Sequence, residues 1–194
     1  MRHVDGIAKP IFGFDIDDVI FHLGPDLIKY YNLEYGTKKT LKDNLSLESD
    51  KAYYVVEKYN LFENMMPTSI LSFLKQKRKD IYLLMITSRE DRYVDNTMGE
   101  LYNHGLDFDD IFMGEKKSEV CKSEKVDYFF DDALHNVVDV QENSPNTKSH
   151  LVERDWNGPE EIERLKANGI LVSEGIKRLT EKEVCDVLDQ VLRK

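Results

Sequence analysis

Cysteine is scarce in this sequence, and long hydrophobic runs are absent from it. Only two cysteines occur, Cys121 and Cys185, and neither belongs to a CxxC or zinc-type spacing. Neither a disulfide framework nor a structural zinc site is therefore indicated. No apolar run approaches the roughly 20 residues that a membrane-spanning helix needs, and the N-terminal MRHVDGIAKP contains no apolar signal-peptide core. We expect a soluble, cytoplasmic protein without a membrane partner.

Positive charge is also in deficit. The 194 residues include 27 lysines and arginines against 37 aspartates and glutamates, which gives a formal net charge of −10. A long nucleic acid bound mainly through charge is therefore not an expected partner. Hydrophobic residues make up 41% of the chain, enough for a real core, which excludes disorder of the whole chain. The length fits one domain, or one domain that carries a small insertion.

The apolar segments that are present are short, and they alternate with stretches of helical spacing. Such alternation predicts an α/β fold with a Rossmann-like parallel sheet and helices on both faces. The C-terminal helix has the pattern of a capping box, with Thr180 as N-cap and Glu183 three residues later. The predicted strands cover residues 11–16, 81–86, 110–113, 126–130 and 150–152. The predicted helices cover residues 26–35, 47–59, 68–76, 90–104, 116–125, 133–141 and 180–192.

The gap between the first two predicted strands is longer than one crossover helix requires. Long structureless loops are rare inside compact domains, and this gap contains several helical patterns. We therefore expect residues 22–66 to form a small helical cap inserted after the first strand. Residues 1–21 and 67–194 are then expected to form the core. A long decorated loop is the alternative interpretation of the same segment.

Acidic residues directly follow two of the predicted strands. Asp15 and Asp17 lie at the end of the first strand, in FDIDDV, and Asp131 and Asp132 follow the fourth, in YFFDD. Open α/β sheets bind ligands at the carboxyl ends of their strands, and carboxylates gathered there repel one another unless a cation is present. Mg²⁺ prefers such oxygen ligands, so a shared metal site is indicated. The alternative for each pair is an acidic turn that caps the next helix.

Two further polar segments lie between these pairs. Thr87, Ser88 and Arg89 end the second strand, where hydroxyl and main-chain N–H groups can bind a phosphate and a guanidinium can add a bidentate contact. We expect Ser88 and Arg89 to bind substrate. Lys116 and Lys117 lie between the third and fourth strands, and a lysine beside a carboxylate and a phosphate neutralises charge. Taken singly, a helix cap and two solvated lysines are simpler interpretations.

In this order, the segments FDIDDV, LMITSR, EKKSEV and YFFDD resemble the four motifs of the haloacid-dehalogenase-like (HAD) phosphohydrolase superfamily. The resemblance spans residues 11–152. It implies a HAD-like core with a helical cap, an aspartyl-phosphate intermediate and Mg²⁺ as the cofactor. It also implies phosphatase rather than dehalogenase chemistry, because dehalogenases lack the second aspartate of the first motif.

The resemblance assigns a role to each motif residue. Asp15 would be the nucleophile, and Asp17 would act first as general acid and then as general base. The implied catalytic residues are Asp15, Asp17, Thr87 and Lys117, with Lys116 as the alternative lysine. The implied metal ligands are Asp15, Asp17 through its main-chain carbonyl, Asp131 and Asp132.

The segments ITSRE, EVCKSEKVDYFFDD and RDWN are similar to the 5′(3′)-deoxyribonucleotidase group and its uncharacterised bacterial relatives. This similarity implies a nucleoside monophosphate substrate whose base stacks on aromatic residues of the cap. The candidates are Tyr30, Tyr31, Tyr53, Tyr54, Tyr59 and Phe62, for which packing inside the cap is the alternative. The stretch 20–23 departs from the group, and its His22 is either a substrate contact or an exposed loop residue. Trp156, in RDWN, is expected to pack rather than bind a ligand.

Other substrates and a role without catalysis are open alternatives. A polynucleotide 3′-phosphatase also has an Arg-Glu pair after its second motif, but the net charge of this chain disfavours it. A sugar-phosphate or phosphoglycolate phosphatase is a further alternative, and a HAD-like binding module is the alternative outside enzymology. For the enzyme, we expect a small-molecule partner and a monomer or homodimer.

Overall fold

A computed structural model describes residues 2–4, 7–159, 163 and 176–193 of the chain. Its strands, in chain order, are β1 (Arg2–Val4), β2 (Ile7–Lys9), β3 (Ile11–Phe14), β4 (Phe21–His22), β5 (Met66–Pro67), β6 (Tyr82–Thr87), β7 (Asp110–Met113), β8 (Tyr128–Asp131), β9 (Lys148–Val152) and β10 (Lys177–Leu179). Its α-helices are α1 (Gly24–Tyr35), α2 (Ser49–Lys58), α3 (Ser69–Lys77), α4 (Val94–Asn103), α5 (Lys117–Ser123), α6 (Leu134–Asn143) and α7 (Glu181–Leu192). Short 3₁₀ helices cover Leu41–Ser46, Leu61–Glu63 and Asp91–Tyr93.

Six of the strands form one central sheet, in the order β10-β9-β8-β3-β6-β7. Every neighbouring pair in it is parallel. Successive side chains of a strand point to opposite faces of a sheet, and the buried residues divide accordingly. Phe12 lies in the apolar cluster that includes Leu74 of α3 and Leu188 of α7, whereas Ile11 lies in the cluster that includes Val120 of α5 and Val140 of α6. Helices therefore cover both faces, which confirms the predicted α/β class.

The strand boundaries differ from the predicted ones in ways that matter for the site. The first strand ends at Phe14 instead of residue 16, because the chain turns tightly: the Asp18 N–H donates to Phe21 O at 2.6 Å, and the Ile20 N–H to Ile16 O at 2.9 Å. β6 and β8 start and end slightly later than predicted, and their last residues are Thr87 and Asp131. The sequence patterns also missed β10, which extends the sheet beside β9.

Aromatic rings stack across the middle of the sheet. Phe14 of β3 lies 4.7 Å from Phe130 of β8, and Phe12 lies 5.1 Å from Tyr128, measured between ring centroids. His150 of β9 continues the stack, 5.3 Å from Phe130. We call these five side chains the ring ladder. Phe14 and Phe130 of the ladder immediately precede Asp15 and Asp131 in the sequence.

Helices α1 and α2 lie between β4 and β5, and these two short strands pair with each other antiparallel, Phe21 opposite Pro67 and His22 opposite Met66. We call residues 23–65 the inserted segment. Its two helices pack on each other, with Tyr30 stacked 4.4 Å from Tyr59. The proposed cap, residues 22–66, contains this segment, and its independence from the core stays a prediction.

The C-terminal helix α7 starts with the predicted capping box. The Glu183 N–H donates to Thr180 Oγ1 at 3.3 Å, and the Thr180 N–H donates back to Glu183 Oε2 at 2.8 Å. Val184 and Leu188 are buried on its inner face. Both cysteines of the chain are free thiols. Within the described residues, no helix is both long and apolar enough to cross a membrane.

Candidate active site

Three neighbouring strands bring polar side chains to one edge of the sheet. Asp15 follows β3, which lies between β8 and β6, and its N–H donates to Phe130 O at 2.9 Å. Asp131 is the last residue of β8, and Thr87 is the last residue of β6. All three motif side chains are buried. Because the carboxyl ends of parallel strands meet at one edge, motif residues that are far apart in the sequence become neighbours.

Lys117, the first residue of α5, lies between two of these carboxylates. Its Nζ is 2.8 Å from Asp15 Oδ1 and 2.7 Å from Asp131 Oδ2, and the residue is only 4% exposed. Burial alone would lower the pKa of Lys117, but Asp131 and Asp15 outweigh it and raise that pKa. Lys116 instead lies at the surface, where it pairs with Asp139 at 3.1 Å. Of the two candidate lysines, only Lys117 therefore contacts the acidic cluster.

Asp15, Asp131 and Asp132 form a buried cluster of carboxylates. One oxygen of each lies within 4.8 Å of the others. Burial raises the pKa of Asp15 to about 7, although Lys117 acts against the shift. Burial also raises the pKa of Asp132 well above its ordinary value, and the nearby Asp18 and Asp131 add to that effect. The ionised forms of Asp15 and Asp132 are therefore poorly compensated.

The composition of this cluster fits a divalent cation. Among the described residues, Lys117 is the one cation that forms an ion pair with any member of the cluster, and it pairs with Asp15 and Asp131. One positive charge against three carboxylates leaves a surplus of two negative charges when all three are ionised. Asp131 is already oriented by the Ala133 N–H at 2.8 Å and by Asn136 Nδ2 at 3.2 Å. Carboxylate oxygens are ligands that Mg²⁺ prefers, and those of Asp131 already have a fixed orientation.

Asp17 and Arg89 form a two-point ion pair. Arg89 Nη2 lies 2.6 Å from Asp17 Oδ1, and Arg89 Nε lies 3.0 Å from Asp17 Oδ2. The guanidinium also donates to Thr97 Oγ1 at 3.0 Å and lies 3.8 Å from the centre of the Phe62 ring. In the structure, the Arg89 guanidinium therefore binds the Asp17 carboxylate. The contact between Arg89 and substrate phosphate stays a prediction. Ser88 is exposed in the adjoining cavity.

Asp18 is a site residue whose importance the sequence interpretation missed. Its φ is +57°, a left-handed conformation that aspartate tolerates better than most residues. Its carboxylate accepts hydrogen bonds from the N–H groups of Leu23 and Gly24, at 3.0 and 2.9 Å, where α1 begins. Burial raises the pKa of Asp18 to about 7, although the Gly24 N–H acts against the shift. The one signal in the sequence was a third acidic residue in FDIDDV.

Side chains of the loop after β9 donate hydrogen bonds to residues of the acidic cluster and its neighbour Asp18. Trp156 Nε1 donates to Asp132 Oδ2 at 2.8 Å, and Asn157 Nδ2 donates to the main-chain oxygen of Asp132 at 2.8 Å. Arg154 Nε donates to the main-chain oxygen of Asp18 at 2.5 Å. Trp156 is buried, as expected for packing, but it also orients a carboxylate of the cluster. These long-range contacts left no local signal in the sequence beyond the segment RDWN.

A cavity of about 440 Å³ lies between the sheet edge and the inserted segment, lined by Asp15, Asp132 and Lys117 among others. Two of the six candidate aromatics, Tyr53 and Phe62, line it. Of the others, Tyr30 stacks on Tyr59. His22 lies outside the lining, 3.7 Å from Glu181. The lining residues are Asp15, Asp17, Asp18, Leu23, Leu27, Asn44, Leu47, Ser49, Ala52, Tyr53, Val56, Phe62, Thr87, Ser88, Arg89, Lys117, Asp132, Ala133, His135 and Asn136.

Comparison with known proteins shows similarity in fold but not in sequence. No family model matches the sequence, and no curated protein matches it. A protein from Thermotoga maritima assigned as a β-phosphoglucomutase superposes with a TM-score of 0.61 at 17% identity, covering 94% of this chain and 100% of that one. A predicted phosphoglycolate phosphatase from Haemophilus somnus gives 0.60 at 14% identity, covering 94% and 98%. A haloacid dehalogenase-like hydrolase from Streptococcus pneumoniae gives 0.59 at 12% identity, covering 93% and 98%.

At these identities the comparisons establish the fold. The chain has the α/β architecture of HAD-superfamily hydrolases over nearly its whole length. Fold alone does not determine an activity, so the chemistry has to be argued from the residues at the sheet edge.

Proposed function

We propose that this protein is a Mg²⁺-dependent phosphatase that hydrolyses a small phosphomonoester through an aspartyl-phosphate on Asp15. The observation that carries the proposal is the placement of Lys117 between Asp15 and Asp131 in the lining of the cavity, which Asp132 also lines. A carboxylate nucleophile, a buried ammonium and spare carboxylates are the groups that phosphoryl transfer to an aspartate requires. The hydrolase assignments of proteins with this fold support the same class of reaction.

In the proposed first step, an Asp15 carboxylate oxygen attacks phosphorus. The bond from phosphorus to the ester oxygen breaks, its electron pair stays on that oxygen, and the Asp17 carboxyl supplies the proton. In the second step, Asp17 takes a proton from water as the water oxygen attacks phosphorus, and the bond from phosphorus to Asp15 breaks. Inorganic phosphate leaves, and both aspartates return to their starting state.

Two hydrogen-bond donors at the sheet edge, Lys117 and Thr87, support binding of the phosphoryl group. Lys117 would stay charged throughout, because its pKa is raised by the two carboxylates beside it. The Thr87 hydroxyl already accepts the Arg89 N–H at 3.2 Å, and its own proton is available to a phosphoryl oxygen. Asp15, Asp131 and Asp132, with the main-chain carbonyl of Asp17, would hold Mg²⁺. When bound, Mg²⁺ supplies charge neutralisation at the phosphoryl oxygens.

The wall contributed by the inserted segment supports a nucleoside monophosphate as the substrate. Its lining residues are Leu23, Leu27, Asn44, Leu47, Ser49, Ala52, Tyr53, Val56 and Phe62. None of these nine side chains carries a charge, and most are apolar or aromatic. A flat, uncharged base gains burial against such a wall. A carboxylate such as that of phosphoglycolate gains no cationic partner from it.

A sugar-phosphate or phosphoglycolate phosphatase is the second candidate. It is favoured by the assignments of two proteins that share the fold, a β-phosphoglucomutase and a phosphoglycolate phosphatase. The location and assembly that we propose are those expected from the sequence: a cytoplasmic monomer or homodimer whose partner is a small molecule.

The deciding experiment is phosphate release from a substrate panel with Mg²⁺. We expect nucleoside monophosphates to exceed sugar phosphates and phosphoglycolate in kcat/KM, and Asp15→Asn to abolish turnover, whereas the surface variant Asp26→Asn retains it. A preference of about tenfold or more for sugar phosphates, about 1.4 kcal/mol of transition-state discrimination, replaces the nucleotidase proposal by the second candidate. Absence of turnover with every ester indicates a binding module instead of an enzyme.

A further inference from the structure

We infer that Arg89 is a positioning residue, which orients the acid-base carboxyl of Asp17 and does not bind the substrate phosphate. The inference rests on the proposed function, because it assigns a part in that reaction to a side chain outside the reacting atoms. Three observations carry it: the geometry of the Arg89–Asp17 pair, the enclosure of Arg89, and the use of its hydrogen-bond donors.

The pair is bidentate, so it fixes the plane of the Asp17 carboxylate. Nη2 contacts Oδ1 at 2.6 Å, and Nε contacts Oδ2 at 3.0 Å. A carboxylate has about four lone-pair sites on its two oxygens, and this fork occupies one on each oxygen. The second lone pair of each oxygen remains for the proton that the reaction moves. The Asp17 side chain is 23% exposed and lines the cavity, so a fixed plane gives that proton a fixed direction.

Arg89 is enclosed by neighbours from two parts of the chain. Thr97 of α4 accepts a hydrogen bond from Nη1 at 3.0 Å. On the side of the inserted segment, the Phe62 ring lies over the guanidinium and Met65 Sδ lies 3.6 Å from Nη2. The Arg89 side chain is only 1% exposed. Held by these neighbours, the guanidinium loses little entropy when it binds Asp17.

A phosphate-binding arginine would need free donors that face the cavity. In Arg89, Nε, Nη1 and Nη2 each already donate to a protein atom. Of the five N–H groups of an arginine, these contacts and the one to Met65 use four. A phosphate held by the Nε and Nη2 fork would have to break the contact with Asp17, which would release the proposed acid-base group from its position. Substrate binding and acid-base catalysis would then compete for one side chain, whereas the positioning role uses every contact present.

The test separates the two roles by the leaving group of the ester. In Arg89→Lys the charge is kept and the fork is lost. A nitrophenolate leaves without protonation, whereas the alkoxide of a nucleoside or sugar ester requires it. General acid catalysis contributes about 10²–10⁴-fold. We therefore expect kcat/KM, which reports the step in which the leaving group departs, to fall at least about tenfold further for an alkyl phosphate than for p-nitrophenyl phosphate. KM for both esters should stay within about twofold of wild type.

Two further variants keep the inference testable if Arg89→Lys folds poorly. Thr97→Val removes one acceptor of Arg89 outside the cavity, and we expect the same selective loss with a smaller amplitude. Arg92→Lys is the matched control: Arg92 is 55% exposed and pairs with Glu57 and Glu90, so both activities should be unchanged. Circular dichroism and thermal melting report the folding of each variant.

The outcomes distinguish the inference from the function on which it rests. A rise in KM for both esters in Arg89→Lys, together with weaker inhibition by inorganic phosphate, identifies a phosphate ligand and overturns the positioning role. An equal loss of kcat/KM on both esters in Arg89→Lys and Thr97→Val also overturns it, since a merely structural defect does not sense the leaving group. A wild-type chain that hydrolyses neither ester overturns the proposed function and the inference together.

Discussion

Replacing Lys117 by methionine tests the electrostatics of the site without any substrate. The change keeps an unbranched side chain that is one atom shorter, and it removes the charge from between two buried carboxylates, Asp15 and Asp131, at 2.8 and 2.7 Å. Removing one partner of a buried ion pair costs about 3–5 kcal/mol, because the remaining charge stays buried without compensation. We therefore expect Lys117→Met to lower the free energy of unfolding by about 3–5 kcal/mol at pH 8 in metal-free buffer.

The pH dependence of this cost has a definite sign. Burial already raises the pKa of Asp15 to about 7, while Lys117 acts against the shift, so the variant raises that pKa further. A raised folded-state pKa of an acid lowers stability as the pH rises through it. A rise of this pKa from about 7 to about 8 adds at most about 1.4 kcal/mol to the cost at pH 8. A still higher pKa adds little more at that pH, because the Asp15 carboxyl is then protonated. This part of the cost is absent at pH 5, where Asp15 is protonated in both folded proteins.

Urea denaturation at pH 8 and pH 5, with a chelator present, measures both effects. The matched control is Lys116→Met, which removes a surface pair with Asp139 and should cost no more than about 1 kcal/mol. The reasoning is refuted if the two methionine variants are equally stable at pH 8. It is also refuted if Lys117→Met is more destabilising at pH 5 than at pH 8.

Two further predictions concern the carboxylates and their partners. Asp132→Asn removes a buried carboxylate whose pKa is raised by burial and by Asp18 and Asp131. Without metal, differential scanning fluorimetry should show a higher Tm for this variant than for wild type, with a larger gain at pH 8 than at pH 5. The variant should also lose most of the stabilisation that Mg²⁺ gives the wild type. Trp156→Phe removes the hydrogen bond to Asp132 Oδ2; calorimetric titration should show Mg²⁺ binding weaker by about 10–100-fold, and an unchanged affinity would contradict the orienting role of Trp156.

The sheet and the convergence of the motifs could be predicted from the sequence. Short apolar runs that alternate with helical patterns define the parallel sheet, and the topology of such a sheet brings Asp15, Thr87 and Asp131 to one edge. This part of the site follows from local patterns, because each residue lies at the end of its own strand. The choice between Lys116 and Lys117 needed the structure, since both begin the same helix and only its orientation decides which one is buried.

The remaining contacts could not be predicted because they depend on side-chain geometry or on long-range packing. The pairing of Arg89 with Asp17 joins residues 72 positions apart, and a sequence pattern cannot distinguish it from a phosphate contact. Trp156 reaches Asp132 from a loop 24 positions away. The left-handed backbone conformation of Asp18 favours certain residue types only mildly, so the residue type does not reveal it. The strand β10 is three residues long and contains two charged residues, so it lacks the apolar pattern of a buried strand.

The ring ladder makes the distances between the site carboxylates depend on the rigidity of the core. Phe14 and Phe130 are stacked with their planes only 10° apart, and each immediately precedes a carboxylate of the cluster. Reacting groups must stay within about 0.5 Å of their productive positions, and close-packed rings limit the thermal displacement of the backbone beside them. We expect a smaller side chain in the ladder to widen the spread of distances between Asp15 and Asp131 while the chain still folds. If the proposed reaction takes place at this site, substitutions of these rings change its rate and the thermal stability together.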